Sequence, residues 1–115
     1  MSEVHTLDQT KRQVRDLNDA LRTSFFGGRW ILTTGVLALG APIATKAVRS
    51  IQAFDGFTPD NDPYGEHDFG SIVVEGHTLF WKIDYLDKQL EYGSPDPTNP
   101  EVTERVLTLM LASEY

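Results

Sequence analysis

The sequence predicts an α+β fold: a small mixed or antiparallel sheet of three or four strands with a central β-hairpin meander, and three helices, in the order α-β-α-β-β-β-α. Apolar residues recur at helical spacing near both ends of the chain and over residues 42–54. Residues 67–85 instead alternate between apolar and polar about a Glu75-Gly76 turn, which indicates a hairpin. A chain of 115 residues can bury one core, so we expect a single globular domain over residues 1–115.

The first half of the chain predicts a helix, a strand and a second helix. A helix from about Leu7 to Ser24 carries its apolar stripe inward and its basic residues on the outer face. Two glycines break it, and the β-branched and aromatic run Arg29–Thr34 predicts a buried strand. Pro42 suits the first turn of the next helix, which we expect to end near Phe54.

The second half begins with a rigid loop bracketed by Pro59 and Pro63 and continues as the hairpin, with strands at 67–75 and 77–85. A short third strand, about Gln89 to Tyr92, continues the meander. Asn99 is a typical helix N-cap before a proline, so a final helix is predicted to reach about Ala112. Four residues of the second hairpin strand are predicted to face the core: Leu79, Trp81, Ile83 and Tyr85.

The composition excludes several classes of protein. No segment approaches the ~20 apolar residues of a membrane helix, and the N-terminal residues lack the apolar core of a signal peptide. The absence of cysteine excludes a disulfide framework and thiolate chemistry. We therefore predict a cytoplasmic protein of a bacterium or mobile element, with no membrane partner.

Charge is divided unevenly along the chain. The net charge is −7, but residues 1–50 carry seven basic and four acidic side chains, whereas residues 51–115 carry three basic and thirteen acidic ones. If the two halves occupy different faces, one side of the molecule is strongly negative, which predicts a basic partner. Solubility alone is the competing explanation.

Four long stretches of the sequence form a recognisable pattern: RWILTTGVLALG, FDGFTPDNDPYGEHDFG, LFWKIDYLD and SPDPTNPEVTERVLTLMLASEY. In these stretches the chain resembles an uncharacterised bacterial family, domain of unknown function 3768, and the resemblance covers roughly residues 17–115. The sequence departs from the family at Leu86, where the family has a second aromatic residue after Tyr85. The resemblance implies a small bacterial protein, often encoded near plasmid or phage genes, and supplies no catalytic residues.

The proline-bracketed loop invites a metal hypothesis. Asp60, Asp62 and Gly65 match the first, third and sixth positions of a calcium loop, but Ser71 occupies the twelfth, where a bidentate carboxylate is required. We therefore predict no metal, and keep Asp60, Asp62 and Asp68 only as weaker ligand candidates. The competing interpretation is that these carboxylates cap turns.

His67 is the best sequence candidate for acid–base chemistry because it lies between two carboxylates, with Asp84 as its predicted partner on the next strand. The alternative is that hydrogen bonds of His67 lock the proline-bracketed loop onto the sheet. Zinc-ligand spacing, a nucleophile elbow and a phosphate-binding loop are all absent from the sequence, so no cofactor is predicted.

Two function classes follow. The sequence favours a small acidic non-enzymatic binding protein, whose carboxylates take the place of nucleic-acid phosphates on a basic nucleic-acid-binding partner. Mobile-element inhibitors of the anti-CRISPR or antirestriction type are the analogy. The predicted partner-binding residues are Asp60, Asp62, Tyr64, Glu66, Asp68, Asp84 and Asp87.

The alternative is a small metal-assisted or acid–base enzyme centred on four residues: Glu66, His67, Asp68 and Asp84. A weaker idea places nucleic acid on the basic first helix, but the overall acidity argues against direct binding of nucleic acid. The sequence leaves a homodimer open.

Overall fold

The α+β class is confirmed. The computed structural model describes residues 3–115, and the side chains from residue 9 onward, as three α-helices and a four-stranded mixed sheet. The elements are α1 Glu3–Ser24, β1 Gly28–Leu32, α2 Thr34–Leu37, α3 Ala41–Gln52, β2 Phe69–Val74, β3 His77–Leu86 and β4 Glu104–Leu111, followed by a 3₁₀ turn at Ala112–Glu114. No helix within the described residues is both long and apolar enough to cross a bilayer.

The sheet has the order β1-β4-β3-β2, in which β1 runs parallel to β4 and the other pairs are antiparallel. The predicted hairpin is confirmed: Val74 pairs with His77 across the turn. Glu75 and Gly76 have φ angles of 48° and 83°, the left-handed conformation that a two-residue hairpin turn requires at both positions. The turn therefore fixes the register of β2 on β3.

The predicted C-terminal helix is wrong, because residues 104–111 form β4. The apolar residues of this segment fit helical spacing and strand alternation equally well, so periodicity alone does not decide between them. β4 lies between β1 and β3 and pairs with both, and it is buried on both faces, with Val106 and Met110 on one and Leu107 and Leu109 on the other. Strand pairing with two partners overrides the local helical signals around Asn99.

The predicted strand at residues 89–92 is also wrong. These residues belong to a turn in which Leu90 has a φ of 61°, and only an isolated bridge joins Leu86 to Gly93. A left-handed residue in the middle of so short a segment interrupts strand geometry. The chain leaves β3 and reaches β4 through an irregular, acidic connection.

The helices pack on one face of the sheet, where the core lies. The predicted inward face of β3 is confirmed, because Leu79 and Trp81 are fully buried and Ile83 is nearly so. Residues of all three helices and of β2 and β4 complete this core. The inner face of α1 also buries two polar residues, Asn18 and Arg22, and both belong to the candidate site.

Candidate functional site

His67 fastens the loop of residues 54–68 to helix α1. Its Nδ1 lies 2.9 Å from a carboxylate oxygen of Asp19, and its backbone N–H donates to Asp62 across 3.2 Å. The imidazole stacks on the ring of Phe57 with a centroid separation of 3.8 Å and an interplanar angle of 4°. His67 has a φ of 57°, an uncommon conformation for a residue other than glycine, so these contacts hold a strained backbone in place.

The carboxylates around His67 differ from the one that the sequence predicts. Asp84 was expected to be its partner, but Asp19 contacts Nδ1 and Asp62 lies 3.7 Å from Nε2. The predicted lock exists, although it joins the loop to helix α1 instead of to the sheet. Both ring nitrogens thus face carboxylates.

Arg22 holds Asp19 in position and caps the C-terminus of helix α3. One guanidinium nitrogen donates to Asp19 across 3.0 Å, and another donates to the carbonyls of Ile51 and Phe54 at 3.0 and 2.9 Å. These carbonyls lie at the C-terminus of α3 and just after it, where a helix leaves acceptors unpaired. The sequence placed the basic residues of α1 on its outer face; for Arg22, which is 5% exposed, this is wrong.

A second buried network lies beside the first. Asn18 donates to the Glu66 carbonyl and to the Tyr85 hydroxyl, at 2.9 and 2.8 Å, and the Tyr85 hydroxyl donates to the Glu66 carboxylate at 3.0 Å. Arg105 donates to the Asn18 side-chain oxygen at 2.9 Å and to the Pro97 carbonyl. Helix α1, the loop, β3 and β4 are therefore joined by one set of polar side chains.

Sequence reasoning missed Asn18, Asp19 and Arg22. A signal was present, since Val14, Asn18 and Arg22 follow one another at i+4 spacing, which places them on one face of a helix. Polar residues at such positions become buried when they meet hydrogen-bonding partners on another element. Here the partners come from residues more than 25 positions away, and the helix pattern says nothing of them.

Burial and neighbouring charges alter the ionisation of several groups. The pKa of Asp68 is raised, first by burial and then by the nearby carboxylates of Glu66, Asp62 and Asp84. Burial likewise raises the pKa of Tyr85 and lowers that of Arg105. Carboxylates from the loop and from β3 are thus close enough to affect Asp68.

The raised pKa of Asp68 gives a signed pH prediction. A carboxyl whose pKa is higher in the folded than in the unfolded protein favours folding at low pH. That contribution is lost as pH rises from about 3.8 through the folded-state pKa. We expect Asp68→Asn to be more stable than the wild type at pH 7, with the difference shrinking as pH falls toward 4. Urea unfolding across this pH range measures it.

The matched control is Asp60→Asn, which removes the same charge from an exposed position of the same loop. A difference between Asp68→Asn and the wild type that does not change between pH 4 and 7 would contradict the assigned electrostatic cause. Equal behaviour of both variants would contradict it as well.

The residues predicted to bind a partner differ in accessibility. Tyr64 is 67% exposed and Asp60 is exposed. The Asp62 side chain is only 6% exposed, because it turns inward and accepts a hydrogen bond from the His67 amide. Asp84 lies on the sheet face opposite the helices and pairs with Lys82 at 3.1 Å. Glu66, Asp68 and Asp87 are partly buried. Asp62 is therefore a structural residue, and the others remain accessible.

The weaker metal candidates are not brought together. Among the side chains that the structure describes, from residue 9 onward, no group of three or more His, Cys, Asp or Glu has the arrangement to hold a metal ion. Asp60 is exposed on the loop, Asp62 turns inward to His67, and Asp68 belongs to the carboxylate cluster. The metal-assisted form of the enzyme hypothesis thus has no ligand set in the described part of the chain.

The two halves of the chain do not occupy separate faces. A cavity of about 300 Å³ between α1 and the loop is lined by Lys11, Arg12, Arg15, Tyr64 and Gly65, with the Lys11 ammonium 5.9 Å from the Tyr64 ring centroid. Further basic groups of the first half pair with acids of the second: Arg29 with Glu104 at 3.5 Å, and Lys46 with Glu75 at 3.3 Å. The acidic region is narrower than the sequence suggested.

Comparison with known proteins gives a family and no function. The family described as "Protein of unknown function (DUF3768)" matches residues 32–114, which include the loop, the hairpin and β4. No curated protein and no solved structure matches the chain. Helix α1, which supplies Asn18, Asp19 and Arg22, lies outside the matched residues.

Proposed function

The chain belongs to the DUF3768 family, and we propose that it is a small acidic, non-enzymatic binding protein that engages a basic partner. The proposed contact region, here called the acidic surface, consists of Asp60, Tyr64, Glu66, Asp68, Asp84 and Asp87. The observation that carries the proposal is that carboxylates from the loop and β3 lie near Asp68, whose pKa is raised first by burial and then by the charges of Glu66, Asp62 and Asp84. Like charges held this close gain free energy when a cationic partner approaches.

The rigidity of the loop supports a binding role. His67, Asp19 and Arg22 fix the loop to α1 by hydrogen bonds of 2.9 to 3.0 Å, so its carboxylates are presented in one arrangement. A preorganised surface loses less conformational entropy on binding. Tyr64, exposed on the same loop with its ring near Lys11, supplies an aromatic side chain of the kind that often contributes most to interface affinity.

The finer form of the proposal is an inhibitor. A fixed set of carboxylates suits a nucleic-acid-binding protein because such a protein already offers cations at phosphate spacing. We propose that the partner is such a protein, that the setting is the bacterial cytoplasm, and that mobile-element inhibitors of the anti-CRISPR or antirestriction type are the nearest functional analogy.

The test is capture of the partner by tagged protein from a native host lysate, at low salt and at about 1 M salt. Bound protein is identified by mass spectrometry, and nucleic acid by staining. We expect a basic nucleic-acid-binding protein at low salt and its loss at high salt. Asp84→Lys should weaken its binding by at least about tenfold, since like charges placed together at an interface cost several kcal/mol.

The matched control is Asp16→Lys, which makes the same change of charge at a side chain 73% exposed on α1. It should retain the partner. Asp62 is unsuitable for charge reversal because its buried carboxylate binds the His67 amide, and its loss would disturb the loop itself. If Asp84→Lys and Asp16→Lys bind equally well, or if no partner is captured at either salt, the acidic-surface proposal is wrong.

An acid–base enzyme centred on Glu66, His67, Asp68 and Asp84 is the second candidate. The observation in its favour is the 2.9 Å contact between His67 Nδ1 and Asp19, which resembles a base held by an orienting carboxylate. Against it, Nε2 faces Asp62 and one face of the ring is covered by Phe57. An enzyme predicts a pH-dependent activity that His67→Ala abolishes, whereas a binding protein predicts no such activity and a partner whose capture depends on the charge at Asp84.

A further inference from the structure

Strand β2 is an edge of the sheet whose outward backbone groups can be identified. The Ile83 amide donates to the Asp68 carbonyl at 2.8 Å, so Asp68 and Ile83 form a hydrogen-bonded pair. Because such pairs alternate along an antiparallel ladder, Gly70, Ile72 and Val74 also bond to β3. The N–H and C=O groups of the three remaining residues therefore point away from the sheet: Phe69, Ser71 and Val73.

These outward groups are unpaired within the described chain. No backbone hydrogen bond from residues 3–115 outside the sheet reaches Phe69, Ser71 or Val73. Neighbouring elements pack against the face of β2, with the Lys46–Glu75 ion pair beyond its end. An unpaired row of donors and acceptors is a template for another strand.

Strand β2 also lacks the features by which edge strands normally resist pairing. Its sequence FGSIVV contains no charge and no proline, and its register on β3 is continuous, without a bulge. The opposite edge, β1, carries Arg29, which pairs with Glu104 of the neighbouring strand. The two edges thus differ, because β1 carries a charged residue and β2 does not.

We propose that β2 pairs with β2 of a second copy of this chain, antiparallel about a twofold axis at Ser71. This register places Ser71 opposite Ser71 of the second copy and Phe69 opposite its Val73, in both directions. All three outward residues then form pairs, each of which exchanges two hydrogen bonds. The two four-stranded sheets become one continuous sheet in a closed, symmetric dimer.

The side chains on the outer face of β2 favour a second copy over a strand from another protein. Two copies with a net charge of −7 repel each other, but the six residues of β2 add no charge to the contact. On the outer face of the sheet, Val73 is 69% exposed and Tyr115 is 75% exposed, and Tyr115 packs on Phe69 with ring centroids 5.7 Å apart. The twofold axis brings Val73 of each copy opposite Phe69 of the other, which extends this apolar surface across the interface.

The dimer goes beyond the proposed function and has the opposite dependence on salt. Because added salt screens repulsion between two negative copies, dimerisation should strengthen with salt, whereas the complex through the acidic surface should weaken. The two proposals can therefore fail separately in the same series of buffers.

The experiment is sedimentation velocity of the purified full chain, at low and high salt and at concentrations up to about 1 mM. We expect a dimer whose dissociation constant falls with salt. Ser71→Pro removes an outward N–H without breaking the ladder to β3, and Ser71→Lys places two like charges opposite each other on the axis. Each should raise the dissociation constant by roughly 100-fold.

The matched control is Thr78→Lys, which adds the same charge at an exposed site on β3, next to Val73. It should leave the dimer intact. Hydrogen exchange supplies a second readout: the amides of Phe69, Ser71 and Val73 should be protected in the dimer and exchange rapidly in the Ser71→Pro monomer. A wild type that is monomeric at every concentration and salt, or a dimer that neither Ser71 variant weakens, would overturn the proposal.

Discussion

Replacing Arg22 by alanine is expected to lower the free energy of unfolding by about 3 kcal/mol, because the change leaves several buried groups without partners. The guanidinium binds Asp19 and the carbonyls at the end of α3, and its carbon lies 5.3 Å from the centroid of Phe57 and 5.9 Å from that of Trp81. Alanine removes the hydrogen bonds and leaves a cavity against these rings. Urea unfolding followed by tryptophan fluorescence measures the loss.

The control is Arg15→Ala, two helical turns earlier on the same helix. Arg15 is partly exposed and contacts the neighbouring Asp16 at 3.6 Å, so this change should alter stability by no more than about 0.5 kcal/mol. Similar losses for both variants would mean that the buried contacts of Arg22 do not stabilise the protein. Conversely, a large loss for Arg22→Ala alone would establish that the buried contacts of Arg22 stabilise the fold.

Arg22 also shows why half of the candidate site could be predicted from the sequence and half could not. His67 and its neighbouring acids stand out locally because turn residues, carboxylates and an imidazole are concentrated in one loop. The group that positions His67 is Asp19, which lies 48 residues earlier and is itself held by Arg22. Local pattern identifies the residues that a turn brings together, but not the distant face against which the turn packs.

The same distinction explains the fold. The hairpin was predictable because its strands are joined by two residues whose conformation sets the register. β4 was not, because its structure depends on β1 and β3, and both of these lie far from it in sequence. Arg105 illustrates the consequence: on a helix it would lie outside, whereas on β4 its side chain points inward to Asn18.

Replacing Gly70 by alanine is expected to cost about 3 kcal/mol of stability, because the core has no room for a methyl group at this position. A Cβ at residue 70 would come within 2.6 and 2.8 Å of two ring carbons of Trp81, which faces Gly70 across the hairpin and is fully buried. The indole cannot yield easily, since the rings of Phe54 and Phe57 pack against it with centroids 5.7 and 6.1 Å away. Thermal and urea unfolding should both register the loss.

The control for Gly70→Ala is Gly93→Ala, because a Cβ at residue 93 would meet nothing closer than the Tyr85 carbonyl at 4.0 Å. It should change stability by no more than about 0.5 kcal/mol. If Gly70→Ala is as stable as the wild type, the Trp81 ring can move away from residue 70. Its contacts with Phe54 and Phe57 of the loop are then not tightly packed. If it is destabilised as expected, then Phe57, which lies between Trp81 and His67, is held on a rigid base. The loop that carries the acidic surface would then be packed, through Phe57, on the same Trp81 ring that excludes a side chain at Gly70.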